Sequence, residues 1–124
     1  MQIKRLDHVV LRVADTARSA DFYATLLDCS VERRVDKIGL VQLRAGDSLI
    51  DLLPVATPPA DANLDHFCLL IEPFDEALIR QRCQRLGIDC PCAKRRYGAT
   101  GFGPSIYLQD PDGNRVELKG RGGV

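Results

Sequence analysis

Two histidines occur in the 124 residues, His8 and His66, and each closes an identical triplet, Leu6-Asp7-His8 and Leu64-Asp65-His66. An apolar run follows each of them, Val9 to Val13 in the first case and Phe67 to Ile71 in the second. Imidazole titrates near neutrality and is the commonest metal ligand, so a duplicated histidine duplicates a site for metal or proton chemistry. Two carboxylates recur in the same fashion. Asp51 lies in Leu49-Ile50-Asp51-Leu52-Leu53, and Glu117 in Arg115-Val116-Glu117-Leu118-Lys119. Neutral imidazole together with carboxylate is a donor mixture suited to Zn, Ni, Fe(II), Mn or Co. Asp51 is one methylene shorter than glutamate, which leaves two roles open to it: direct ligand, or hydrogen-bond acceptor beside the site.

These four side chains can meet only if the chain folds as two copies of one unit. After the first triplet segment, Asp15-Thr16 forms an N-cap ahead of a helical pattern. Ala20, Tyr23, Ala24 and Leu27 are expected on its inner face, with Phe22 and Leu26 at the edge. After the second, Pro73 and Asp75-Glu76 open a helix with Leu78, Ile79, Cys83 and Leu86 inward, and Gly87 ends it. Strands are expected at 30–35, 38–44 and 48–54, and again at 88–93, 105–109 and 114–119. Ala45-Gly46-Asp47 and Asp110-Pro111-Asp112-Gly113 supply turns. The order is βαβββ twice, an α+β chain of two modules, 1–56 and 64–124, in a single domain, with a polar linker at 57–63. Neither sheet can cover itself, so the two are expected to pair into a curved, barrel-like wall with the helices outside.

Side-chain alternation along strands then assigns the faces. Val9, Leu11 and Val13 read as core, which turns His8, Val10 and Arg12 to the opposite side. Phe67, Leu69 and Ile71 read as core against His66, Cys68 and Leu70. Ile50 and Leu52 oppose Asp51, and Val116 and Leu118 oppose Arg115, Glu117 and Lys119. Both histidines and both carboxylates thus fall on the face expected to line a cavity. Glu117 and Asp51 are the candidates to move a proton next to a carbonyl. Arg12, Arg115 and Lys119 give that face a positive lining suited to anionic substrates, or else reach solvent at its rim, and Tyr107 is placed to donate a hydrogen bond to substrate. Gly98, Gly101 and Gly103 read as a flexible loop ahead of Tyr107, able to serve as a lid.

Bulk properties remove other classes. Seventeen basic and seventeen acidic residues leave no net charge, which argues against a general nucleic-acid binder. No apolar run approaches the roughly 20 residues of a membrane span, and the N-terminus has no signal-peptide character, so a cytoplasmic protein is expected. The five cysteines are read as reduced packing or surface thiols, because Cys90-Pro91-Cys92 lacks the spacing and second pair of a structural zinc site.

The two Leu-Asp-His triplets and Asp110-Pro111-Asp112-Gly113-Asn114-Arg115-Val116-Glu117-Leu118 resemble the glyoxalase, fosfomycin-resistance and extradiol-dioxygenase superfamily, the vicinal oxygen chelate proteins. The resemblance spans essentially the whole chain. It implies paired βαβββ modules, one divalent metal ion held by His8, His66 and Glu117, a small-molecule substrate and a homodimer. Asp51 stands where typical glyoxalase I has glutamate. The segment from Tyr97 to Tyr107 is similar to a subgroup of small glyoxalase-like proteins. The activity implied first is a glyoxalase-type lyase or isomerase. Thiol transfer to an epoxide, Fe(II) oxygen chemistry and metal-free small-molecule binding are the alternatives.

Overall fold

The computed structural model describes residues 2, 5–57 and 64–122. The chain divides into two compact units, Met1–Ala60 and Asp61–Val124. Unit one runs β1 (His8–Val13), α1 (Thr16–Leu27), β2 (Ser30–Val35), β3 (Leu40–Ala45) and β4 (Ser48–Pro54). Unit two runs β5 (Phe67–Leu70), α2 (Glu76–Leu86), β6 (Lys94–Gly98), β7 (Gly101–Gln109) and β8 (Arg115–Lys119). The expected βαβββ order is present in both, and the class is α+β. Most of the linker expected at 57–63 lies outside the described residues.

Each unit folds its strands into one mixed four-stranded sheet, in the orders β1-β4-β3-β2 and β5-β8-β7-β6. The outer contact of each is parallel, β1 on β4 and β5 on β8, while the remaining pairs are antiparallel. A parallel partner cannot be reached through a hairpin, and the helix together with the two intervening strands supplies the crossover. Both helices start on the residues read as caps. Asp15 accepts from the Arg18 N–H at 3.0 Å, and Asp75 from the Leu78 N–H at 3.1 Å, a cap that contributes about 1 kcal/mol. They end on left-handed residues, Asp28 and Gly87.

The helix faces differ in part from expectation. In α1 the buried residues are Ser19, Phe22, Tyr23 and Leu26, which follow i, i+3, i+4, i+7 one position away from the stripe read through Ala20, Ala24 and Leu27. Large aromatic rings at 22 and 23 fill the core where alanine could not, and the helix is rotated to admit them. In α2 Ile79 and Cys83 are buried, but Leu78 is exposed.

Unit two departs from expectation in two linked places. The second strand of unit two lies at Lys94–Gly98 and not at 88–93. Residues 88–93 are instead tied to α2: Ile88 N–H donates to the Cys83 carbonyl, Arg80 to the Cys90 carbonyl, and Ala93 N–H to Glu76 Oε1. Their hydrogen bonds go to the helix, and Pro91 has no N–H to give to a ladder. The glycines at 98, 101 and 103 are likewise not a free loop. Gly98 pairs with Gly101 and Arg96 with Gly103, so they build the β6–β7 hairpin. Gly103 is required by close approach: a Cβ there would collide with the Gly120 carbonyl oxygen and meet the Arg121 oxygen at 3.0 Å.

The Asp110 turn forms as expected. Its carboxylate accepts from the Asp112 and Asn114 N–H groups and from the Asn114 amide, and Gly113 takes φ +80°. Among the described residues no helix is long and apolar enough to cross a membrane.

Gly103→Ala should therefore lower the stability to urea unfolding by roughly 2 kcal/mol or more, as backbone must move. Gly46→Ala has φ +61° but open space around it, and should cost only about 1 kcal/mol. Equal losses at the two positions would sink the close-approach account.

Candidate metal and catalytic site

Strand register fixes which functional groups meet within each unit. In β1 and β4 Val10 pairs with Asp51, and in β5 and β8 Cys68 pairs with Glu117. The partner of each carboxylate is thus the second residue after the histidine, on the same face by the period-2 alternation. His8 is the first residue of β1, whereas His66 stands just ahead of β5.

In unit two the expected pair is in contact. His66 Nε2 lies 3.2 Å from Glu117 Oε1, and Glu117 is buried. The other oxygen, Oε2, accepts from the Ser105 hydroxyl at 2.7 Å. Asp65 Oδ2 sits 2.7 Å from His66 Nδ1, so the aspartate of the triplet orients the ring and turns Nε2 toward Glu117. The same contact holds the Asp65 carboxyl below the usual range, with the Arg115 guanidinium 3.7 Å away adding to it. Tyr107 packs edge-on against His66, with ring centroids 5.2 Å apart. Arg96 and Arg115 each hold a guanidinium 4.4 Å from the Tyr107 ring. Burial, then the charge of Glu117, pushes the Tyr107 phenol up, which keeps it a proton donor. A cavity of about 320 Å³ opens here, lined by His66, Cys68, Tyr97, Thr100, Glu117 and Lys119 among others. Cys68 is pushed up to about 11 by burial and by Glu117, so its thiol stays protonated at neutral pH.

Unit one presents the counterpart. Asp7 Oδ2 is 2.8 Å from His8 Nδ1. Asp51 is buried, and its Oδ2 accepts from the Gln42 amide at 3.1 Å. Its Oδ1 is buried with no hydrogen-bond partner among the described residues. A carboxylate oxygen taken out of water without a partner costs on the order of 1–3 kcal/mol, and such an oxygen fits a cation or a proton.

The remaining expected residues are placed as follows. Arg12 is exposed on the His8 face of β1. Arg115 is half-exposed over Tyr107. Lys119 borders the cavity, but its ammonium is buried and donates to the carbonyls of Gly101 and Gly120 at 2.8 and 3.1 Å. Within neither unit do three or more His, Cys, Asp or Glu side chains, among the described residues, form a group that could hold a metal ion.

Three participants escaped the sequence reading: Arg96, Gln42 and Arg33. Misplacing β6 hid Arg96, because a strand ending at residue 93 puts 94–98 in a loop. Gln42 was detectable, since Val41 and Leu43 are core and the residue between them must face the other way. Arg33 reaches Gln42 only through the β2–β3 pairing, which no local pattern announces.

The sequence profile of the Glyoxalase/Bleomycin resistance protein/Dioxygenase superfamily matches residues 5–118. The chain belongs to this superfamily. Virulence protein STM3117 of Salmonella typhimurium is 29% identical over 124 residues, covering 95% of this chain and 85% of the relative. Its crystal structure superposes with a TM-score of 0.78, covering 98% of this chain and 100% of the other. Glutathione transferase FosA of Serratia marcescens is 26% identical, covering 94% of this chain and 80% of FosA. The fosfomycin resistance protein FosX of Listeria monocytogenes, solved as the E126Q mutant with Mn(II) and a dihydroxypropylphosphonic acid, shares the fold with a TM-score of 0.75. At 19% identity, over 95% of this chain and 90% of FosX, that likeness concerns the fold alone. The superfamily takes in bleomycin-resistance proteins and dioxygenases by its description, and a glutathione transferase and a biphenyl-2,3-diol dioxygenase are among the proteins this chain is similar to.

The His8 imidazole is held above its ordinary value of 6.5, chiefly by the hydrogen bond to Asp7, with Asp51 and Asp7 adding charge. Asp7→Asn should lower it, since an amide no longer favours the protonated ring. An NMR titration of the metal-free protein reads this directly. An unchanged His8 titration would remove Asp7 from its role.

Proposed function

We propose that this member of the superfamily is a divalent-metal-dependent enzyme of glyoxalase type, a lyase or isomerase that moves a proton on a small, anionic, oxygen-chelating substrate. The observation that carries the reading is the repeated arrangement of Nδ1-anchored histidine and buried carboxylate: Asp65-His66 with Glu117, and Asp7-His8 with Asp51. Nitrogen donors whose far side is tied to a carboxylate, next to acidic oxygens, form a donor set that fits a borderline divalent ion. His8, His66 and Glu117 are assigned as ligands.

When bound, the ion supplies a Lewis acid that steadies negative charge developing on substrate oxygens. The chain's own groups do the rest. Glu117 has Oε2 held by Ser105 and Oε1 turned to His66 Nε2, which suits a fixed ligand. Asp51 keeps Oδ1 without a hydrogen-bond partner among the described residues, which suits a base that takes the proton from carbon and returns it. Tyr107 donates a hydrogen bond, and Arg96 and Arg115 with Arg12 attract the anionic substrate; Lys119, its ammonium bonded to carbonyls, contributes charge at the border of the cavity. Five unpaired thiols suit the reducing cytoplasm. The homodimer is part of the same reading, and light scattering tests it.

A second reading, thiol transfer to an epoxide, is favoured by the likeness to FosA. Metal content separates the two. Zn, Ni or Co in freshly purified protein supports proton transfer, and Mn supports the transferase. Oxygen-sensitive Fe(II) would point to a dioxygenase, and an absence of bound metal to a binding protein; either result sinks the lyase reading. A panel of α-hydroxycarbonyl thiol adducts, and of epoxides with glutathione, then follows with that metal restored.

Two substitutions divide the carboxylate roles. Glu117→Gln should weaken metal binding by roughly a hundredfold and abolish turnover, as the loss of a charged ligand requires. Asp51→Asn should leave metal affinity within about threefold of the parent yet lower kcat by roughly 10²–10⁴. Both are read by elemental analysis and steady-state rates. Wild-type turnover in Asp51→Asn would remove it as the base.

A further inference from the structure

A hydrogen-bonded chain leads from the edge strand of unit two to the buried glutamate. One nitrogen of the Arg96 guanidinium, NH1, lies 3.1 Å from Ser105 Oγ and 3.1 Å from the Ser105 carbonyl oxygen. Ser105 Oγ in turn lies 2.7 Å from Glu117 Oε2, and Ser105 is fully buried. A serine hydroxyl has one proton and can point it in several directions. A guanidinium can only donate. With Arg96 donating into Oγ, the hydroxyl proton is directed to the carboxylate, and the short Ser105–Glu117 contact follows from that polarity.

Unit one builds the same device from different residues. Arg33 NH1 donates to Gln42 Oε1 at 3.1 Å, and Gln42 Nε2 donates to Asp51 Oδ2 at 3.1 Å. Here the guanidinium fixes which end of the amide is oxygen, and the amide presents its N–H to the acid. In both units the arginine comes from the edge strand, β2 or β6, and the relay group from its neighbour, β3 or β7. The carboxylate comes from the next strand in, β4 or β8. In both, one carboxylate oxygen is held: Glu117 Oε1 is left facing His66 Nε2 at 3.2 Å, and Asp51 Oδ1 is left without a hydrogen-bond partner among the described residues.

We infer that Arg96 is a positioning residue which, through Ser105, fixes the carboxylate of Glu117 by Oε2 and so presents Oε1 for metal binding. The inference rests on the proposal that Glu117 is a metal ligand, and concerns a pair of residues to which that proposal gives no metal role. Outer groups that orient a ligand are worth roughly ten- to a hundredfold in metal affinity.

The test is a double-mutant cycle on metal affinity in the full chain. The parent, Arg96→Met, Ser105→Ala and the double variant are titrated with Zn(II) against a chromophoric chelator and with Mn(II) by the EPR signal of free ion. Thermal unfolding of each metal-free protein accompanies the titrations. Ser105→Ala should weaken binding about ten- to a hundredfold, and Arg96→Met by about tenfold. The double variant should bind no worse than Ser105→Ala, because arginine acts only through the hydroxyl. A merely structural arginine would lower the unfolding temperature and leave the metal affinity in place. Affinities of the single variants equal to the parent's, or losses that multiply in the double variant, overturn the relay while leaving Glu117 as ligand. If Ser105→Ala does not fold, Arg96→Met on the edge strand decides alone: unchanged affinity overturns the relay. Failure of the parent to bind either ion overturns both the relay and the ligand assignment beneath it.

Discussion

Parallel pairing of the first strand of each unit with its last is the constraint from which the candidate chemistry follows. It brings residues some 40 to 50 positions apart into register, Val10 with Asp51 and Cys68 with Glu117. In each case the histidine precedes the paired residue by two. A slip of one residue would carry the carboxylate to the helix-packed face, where Ile50, Leu52, Val116 and Leu118 are buried nearly completely. The apolar partners of the acids thus hold the acids in place. Val116 and Leu118 flank Glu117, and neither tolerates exchange with it.

A buried carboxylate imposes its own demand, because it loses hydration and must recover hydrogen bonds within the protein. Glu117 recovers them from Ser105 and faces the His66 ring. Asp51 recovers half, through Gln42. The sheet supplies these donors from the neighbouring strand, and that strand's donors are polarised by an arginine one strand further out. The electrostatic consequence is a cationic margin around each acid, with Arg96 and Arg115 on the two stacking contacts of Tyr107. Burial of acid and provision of positive charge are therefore parts of one arrangement.

Much of this was legible in the sequence for a physical reason: periodicity and capping are local. Leu-Asp-His repeated at 6–8 and 64–66, the caps Asp15 and Asp75, the stop at Gly87 and the Asp110 turn each depend on a few adjacent residues. The faces of β1, β4 and β8 followed from alternation alone. What was not legible depended on partners distant in sequence. Residues 88–93 alternate well enough for a strand, yet their N–H and carbonyl groups are taken by α2. The glycines of 98–103 look like a loop until the close approach of Gly103 to Gly120 is known. Arg96 and Gln42 acquire meaning only from cross-strand neighbours, which register sets and composition does not reveal.

The two halves also differ in a way that a duplicated site must accommodate. Glu117 is served by the short Ser105, two positions along β7 from the residue directly opposite it, which is Tyr107. Asp51 is served by the long Gln42, which is directly opposite. A longer acid meets a shorter donor displaced along the strand, and a shorter acid meets a longer donor directly opposite. Exchanging only the acid, Asp51 for glutamate, would drive the longer side chain into Gln42 without shortening the partner. The placing of Tyr107 opposite Glu117 carries the further asymmetry: a ring stacked by two arginines fills that face in unit two, while an amide occupies the position in unit one. Divergence of acid length, donor length and opposing side chain is therefore correlated within each unit, which is why Asp51 is not a mere shortened copy of Glu117, and why its uncommitted oxygen is a property of the whole strand triplet.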